Sequence, residues 1–83
     1  MNIFQESVEL FLWFSDFYSK DQVKGGLLIG ELKRHLINEL HYPPNNVERV
    51  LFVRGIPESS QDLKIMSDSL KFMRSVRNAY QET

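Results

Sequence analysis

The sequence predicts an all-α fold in which four helices form a single domain, residues 1–83. Apolar residues recur every three or four positions in three long segments, which is the spacing of one helix face. Clusters of glycine, proline and asparagine separate these segments and mark the connections. The predicted helices span about 2–20, 27–41, a short 46–54, and 60–80.

The first predicted helix, about 2–20, carries more apolar surface than one small core requires. On a helical wheel five of its polar residues form one narrow stripe that only Trp13 interrupts, and Phe, Leu, Val and Tyr cover most of the rest. The stripe consists of Asn2, Glu6, Glu9, Asp16 and Lys20. Asn2 and Gln5 have capping-box spacing at the start. The apolar excess indicates contact with a partner.

The second predicted helix, about 27–41, has one apolar face and one polar face. Leucine and isoleucine recur at helical spacing from Leu28 to Leu40, and charged or amide side chains lie opposite. The pair Gly25-Gly26 predicts a break before this helix. Pro43 predicts its end, because a proline disfavours helical geometry in the residue before it.

The third segment, 46–54, permits two interpretations. Its β-branched and aromatic residues suit a strand, whereas Asn45 and Glu48 have the spacing that caps a helix. An isolated strand leaves its backbone groups unpaired, so a strand here requires a second strand. The alternative fold is therefore α+β, with paired strands at about 8–15 and 47–54.

The fourth segment, about 60–80, has the clearest helical pattern. Its apolar stripe runs from Leu63 through Leu70 to Tyr80. Ser59 and Asp62 have the spacing of a capping box, which predicts that the helix begins at residue 60.

Two stretches resemble parts of known families and imply different folds. Residues 47–63 are similar to a helix end and the following loop of bacterioferritins, which implies a helical third segment. Residues 29–55 are similar to the centre of ubiquitin-like β-grasp domains, which implies strands. Because each covers a third of the chain or less and the two disagree, we predict no family.

Composition argues against several functional classes. The chain has no cysteine and a formal charge of −1, so it offers no thiolate site and no overall attraction for nucleic acid. His35 and His41 lack the spacing of metal ligands, and no nucleophile or phosphate-loop motif is present. We therefore expect a non-enzymatic protein without metal or cofactor. The absence of a signal-peptide pattern and of a long apolar run predicts a cytoplasmic protein that does not span a membrane.

The functional prediction is a small protein-binding module, such as a regulator, an inhibitor or an accessory factor. It would bind a protein partner through the apolar and aromatic face of the first helix, with self-association into a homo-oligomer as one form. Trp13 is the predicted anchor, because exposed tryptophan is enriched at interface centres. Glu9, Asp16 and Lys20 would form a charged rim. The neighbouring aromatic residues are expected to lie mostly in the core: Phe11, Phe14, Phe17 and Tyr18.

The alternative function is a nucleic-acid-binding accessory protein that uses the last helix. Lys71, Arg74 and Arg77 lie within seven residues and could contact phosphates. The same residues are also typical of a solvated helix face near a C-terminus, where cations complement the helix dipole. Asp62 and Asp68 on the same helix favour this second interpretation.

Overall fold

A computed structural model describes residues 3–52 and 59–81, and these residues form four α-helices. The helices are α1 (Ile3–Lys20), α2 (Gln22–Arg34), α3 (Pro44–Phe52) and α4 (Ser60–Gln81). A π-helical turn, His35–Glu39, continues α2. The all-α prediction is confirmed. The alternative strands are wrong at 8–15 and at 47–52, which are helical, and positions 53–54 lie outside the described residues.

The predicted start of the second helix at residue 27 is wrong, because α2 begins at Gln22 and runs through the two glycines. Asp21 explains this early start. Its side chain accepts a hydrogen bond from the Lys24 backbone N–H at 3.0 Å, which satisfies one of the unpaired donors of the first turn. A good N-cap immediately before the glycines outweighs their low helix propensity.

Gly25 is required by the packing of α2 on α1. It is buried, and a Cβ built on it would lie 2.4 Å from Tyr18 Cδ2 and 3.0 Å from the Tyr18 Cα. The tyrosine ring could rotate away, but the backbone atom could not. Gly26 differs, since a Cβ there meets nothing within 4 Å. Adjacent glycines therefore have different roles: Gly25 permits close helix contact, and Gly26 faces open space.

Alanine substitutions at the two glycines should have opposite effects. Gly25→Ala is expected to lower the free energy of unfolding by about 2 kcal/mol, because overpacking forces α1 and α2 apart. Gly26→Ala should raise it by about 1 kcal/mol, because alanine is the better helix former and nothing obstructs its methyl group. Urea denaturation followed by circular dichroism measures both values. Stabilisation by both substitutions would show that α1 and α2 are not in close contact at Gly25.

The π-helical turn ends the second helical segment with a local reversal of the chain. Leu40 N–H donates to the His35 carbonyl and Tyr42 N–H to the Leu36 carbonyl, both at 3.0 Å. Between them His41 has a φ of 61°, the left-handed conformation that closes many helix C-termini. The helical geometry therefore stops at Glu39, two residues before the predicted end at residue 41.

Helices α3 and α4 begin close to their predicted positions. Pro44 is the first residue of α3, where a proline loses no hydrogen bond, and the Pro43 carbonyl accepts from the Asn46 and Val47 N–H groups. Ser59 Oγ accepts from the Asp62 N–H at 3.1 Å, which confirms the predicted cap of α4. The other predicted capping pair includes Asn2, which lies outside the described residues.

The core lies where the π-helical turn, α3 and α4 meet. Its centre consists of Leu32, Leu36, Val47 and Ile65, and all four are buried. Helix α1 packs on α2 and α4, whereas α3 packs on α4 and the π-helical turn. This arrangement leaves a gap beside α3, and the gap forms part of the candidate site.

Candidate docking surface on α1

An apolar strip faces outward from α1, and we call it the α1 face: Val8, Phe11 and Leu12. These three residues are 58%, 55% and 62% exposed, whereas Leu10, which lies between them in the sequence, is 1% exposed. Positions 8 and 12 are one turn apart and lie on the side of α1 away from Leu10. The apolar excess inferred from the sequence is therefore present, and its most exposed members are aliphatic.

An apolar groove adjoins the α1 face through Phe11. It has a volume of about 360 Å³, and side chains from all four helices line it. Phe14, Ile29, Phe52 and Met66 are among these. Among the described residues that line the groove, Ser7 and Ser69 are the polar side chains. Ser69 Oγ donates to the Ile65 carbonyl at 2.7 Å, so its hydrogen-bonding capacity is already used within α4. The groove therefore offers mainly apolar contacts to an occupant.

Polar contacts connect the helices that line the groove. Lys33 Nζ lies 3.0 Å from Glu48 Oε1 and 4.6 Å from the centre of the Phe52 ring, so it ties α2 to α3 by an ion pair and a cation–π contact. On the opposite side, Arg74 of α4 forms an ion pair with Glu6 of α1. These contacts link α2 to α3 and α1 to α4.

Trp13 occupies a different environment from the one that the sequence predicted. It is only half-buried, but its ring lies 5.4 Å from that of Phe17 and 6.5 Å from that of Tyr80 near the end of α4. A helical wheel of α1 placed it in the polar stripe, and the wheel contains no information on which other helix covers that position. Trp13 thus forms part of the contact between α1 and α4.

The expectation that the neighbouring aromatic residues lie mostly in the core is wrong. Phe11 and Tyr18 are exposed, while Phe14 and Phe17 are half-buried. Over residues 5–20 of α1, for which burial is described, Leu10 is the buried residue. One side of a helix cannot bury every aromatic residue in a chain of 83 residues, because few other elements are available to cover it.

The three charged residues predicted as a rim are all exposed on α1. Asp16 and Lys20 form an ion pair with one another at 3.0 Å, one turn apart. Glu9 lies beside Val8 in the sequence. Their exposure leaves all three accessible to a partner that contacts the α1 face.

The three basic residues of α4 that the sequence predicts as possible phosphate contacts do not form one free cationic surface. Lys71 is exposed. Arg74 is neutralised by Glu6. Arg77 is half-buried, and its Nε is buried with no hydrogen-bond partner among the described residues.

Sequence reasoning missed the polar contacts that join α3, and the segment before it, to α4. Arg49 Nη1 and Nη2 donate to the two carboxylate oxygens of Asp62 at 2.8 and 2.7 Å, and Asp62 is fully buried. The Tyr42 hydroxyl donates to Asp68 at 2.5 Å, and this hydrogen bond raises the pKa of Tyr42 above its ordinary value. A signal existed for Asp62, because positions 62, 65, 69, 72 and 76 share one helix face. A charged residue in that series indicates a buried partner.

The described residues contain no group of three or more His, Asp or Glu side chains arranged to hold a metal ion. His35 instead hydrogen-bonds Glu39 through Nδ1 at 2.8 Å and stacks on Phe72. Among the described helices, none combines the length and the hydropathy that a membrane crossing requires.

The described residues form a small helical protein with an exposed apolar face on α1. Comparison of the chain with known protein families, curated proteins and solved structures found no match.

Proposed function

We propose that this chain is a small non-catalytic protein-binding module that binds its partner through the α1 face and the adjoining groove. Such a module would act as a regulator, an inhibitor or an accessory factor. The observation that carries the proposal is the exposure of Val8 and Leu12 on adjacent turns, next to an open groove with an almost entirely apolar lining. Contiguous apolar surface of this kind is typical of interaction sites.

The groove and the face suit an amphipathic helix of the partner. Helices bind in apolar grooves through side chains spaced by three or four residues, which insert as anchors. A volume of about 360 Å³ is within the range of sites that bury a compact apolar group. Val8 and Leu12 would then cover the flank of the bound helix and exclude water from it.

Charged residues around the apolar surface would set the register of the partner. Glu9, Asp16 and Lys20 lie on the exposed side of α1 and would form the polar rim. Trp13 would contribute through its exposed part, at the edge where α1 meets α4. Rim charges mainly affect the association rate and specificity, so affinity is expected to come from the apolar contacts.

The nucleic-acid alternative receives less support from the geometry. Its three basic residues do not act together, because Glu6 neutralises Arg74 and Arg77 is half-buried. Phosphate binding depends on several free cations on one surface.

Site-specific photocrosslinking in cells tests the proposal. A photoreactive phenylalanine analogue at position 12 should give an adduct with one protein, whereas the same analogue at exposed position 78 on α4 should not. The captured protein should bind the purified chain in calorimetry, and Leu12→Asp should weaken that binding by about tenfold or more. Equal labelling at both positions, or unchanged affinity for Leu12→Asp, would rule out the α1 face as the docking surface.

A further inference from the structure

The outward side of α2 presents a second apolar surface, separate in sequence from the α1 face. Val23 and Leu27 are 75% and 65% exposed, the highest values among the large apolar residues of the described chain. Together with Gly30 and Arg34 they recur at spacings of four, three and four, which places them on one side of the helix. We call this side the α2 face.

Gly30 gives the α2 face a shallow centre. A Cβ built on Gly30 would meet nothing within 4 Å, and the same holds for Gly26 beside it. Each glycine costs about 1 kcal/mol of helix stability relative to alanine, and no intramolecular contact requires either of them. The face thus carries large side chains at one end and open backbone in the middle, so that a second helix could approach closely.

Charged residues flank the same side in an order that suits an antiparallel copy. Lys24 and Glu31 lie two turns apart on one flank, and both are exposed. Within one chain, Glu31 forms an exposed ion pair with Arg34, and Lys24 has no ion pair among the described residues. Lys24 lies in the first turn of α2 and Glu31 lies towards its end, so when two such helices run in opposite directions the Lys24 of each copy lies on the same flank as the Glu31 of the other. The helix dipoles also oppose one another favourably.

We propose that the α2 face binds a second copy of this chain, with the two α2 helices antiparallel about a two-fold axis. Leu27 of each copy lies against Gly30 of the other, and Val23 lies along the stem of the opposite Arg34. In this register Lys24 is offset from Glu31 of the second copy by two residues, which is about 3 Å along the helix axis. Two-fold symmetry produces every contact twice.

The contact is expected to be reversible. The α2 face extends over only about three turns, and specific stable interfaces bury about 800 Å² on each partner. One pair of short helices falls towards the lower end of that range. This dimer uses α2 and does not depend on the α1 face, so the two proposals can fail separately.

Charge reversal tests the register. In sedimentation equilibrium the wild-type chain should show a monomer–dimer equilibrium, and Lys24→Glu and Glu31→Lys should each weaken it by about tenfold, since two opposite-charge contacts become two like-charge contacts. An equimolar mixture of the two variants should dimerise as well as the wild type. The double variant should do the same, because each charge again lies opposite its complement.

Recovery on mixing separates an intermolecular contact from a folding defect, since a misfolded variant gains nothing from a second misfolded variant. Leu12→Ser on the α1 face is the matched control and should leave the dimer unchanged. A wild-type chain that stays monomeric to its solubility limit would overturn the proposal. A dimer that Leu12→Ser abolishes while both charge variants preserve it would overturn it as well.

Discussion

Replacing Arg49 with methionine is expected to lower the free energy of unfolding by about 3 kcal/mol, because it removes the cation that pairs with a buried carboxylate. Asp62 is fully buried, and both of its carboxylate oxygens accept hydrogen bonds from the Arg49 guanidinium. Methionine retains most of the apolar stem but removes the opposite charge, which leaves a carboxylate in the interior with its principal cation gone. Urea denaturation at neutral pH, followed by circular dichroism, measures the loss.

Arg34→Met is the matched control, because it makes the same chemical change in an exposed ion pair. Arg34 pairs with Glu31 on the surface of α2, where water replaces the lost contact, so the free energy of unfolding is expected to stay close to that of the wild type. A double variant, Arg49→Met with Asp62→Leu, should recover much of the stability because it removes the stranded charge. Equal effects of Arg49→Met and Arg34→Met would show that water reaches Asp62.

The number, order and helical type of the elements could be predicted because they depend on local pattern. Apolar residues at helical spacing mark α4 within one residue at its C-terminal end, and the Ser59 cap marks its start. The start of α2 could not be predicted in the same way. The Asp21 cap is a local signal, but the low helix propensity of the adjacent glycines outweighs it in the sequence pattern, and the contact of Gly25 with Tyr18 depends on how α1 and α2 pack.

The apolar character of the candidate site could be predicted, but its exact residues could not. The sequence shows that α1 carries more apolar surface than a small core can cover, and Val8 and Leu12 are indeed exposed. Which residues are covered depends on the ends of other helices. Trp13 illustrates the limit, since Tyr80, far away in the sequence, packs against it.

Buried polar residues define a second limit of the sequence argument. Hydrophobic periodicity assigns apolar residues to the core and treats charged residues as exposed. Asp62 and Ser69 are nevertheless buried, because Arg49 and the Ile65 carbonyl satisfy them. Burial of a charge depends on a partner from another helix, and a single sequence does not reveal that pairing.

Leu10→Ala and Leu12→Ala make the same chemical change two residues apart on α1. The first should cause a large loss of stability and the second almost none. Leu10 is almost fully buried and lines the groove, so its truncation should lower the free energy of unfolding by about 3 kcal/mol. Leu12 is mostly exposed, so its truncation should change stability by less than about 0.5 kcal/mol. Urea denaturation of the two purified variants compares the values directly.

Partner binding should show the reverse order. Leu12→Ala removes a contact that exists only in the complex, so affinity for the captured partner should fall while the free chain remains folded. Leu10→Ala should affect binding in two ways, by lowering the fraction of folded chain and by changing the shape of the groove. Calorimetry well below the unfolding temperature removes the first effect, because nearly all of the chain is then folded. A large stability loss for Leu12→Ala would mean that this residue belongs to the core, and the argument for the α1 face would then fail. If Leu10→Ala lowers stability more and Leu12→Ala lowers affinity more, then the Leu10 side of α1 contributes to folding and the Leu12 side binds the partner.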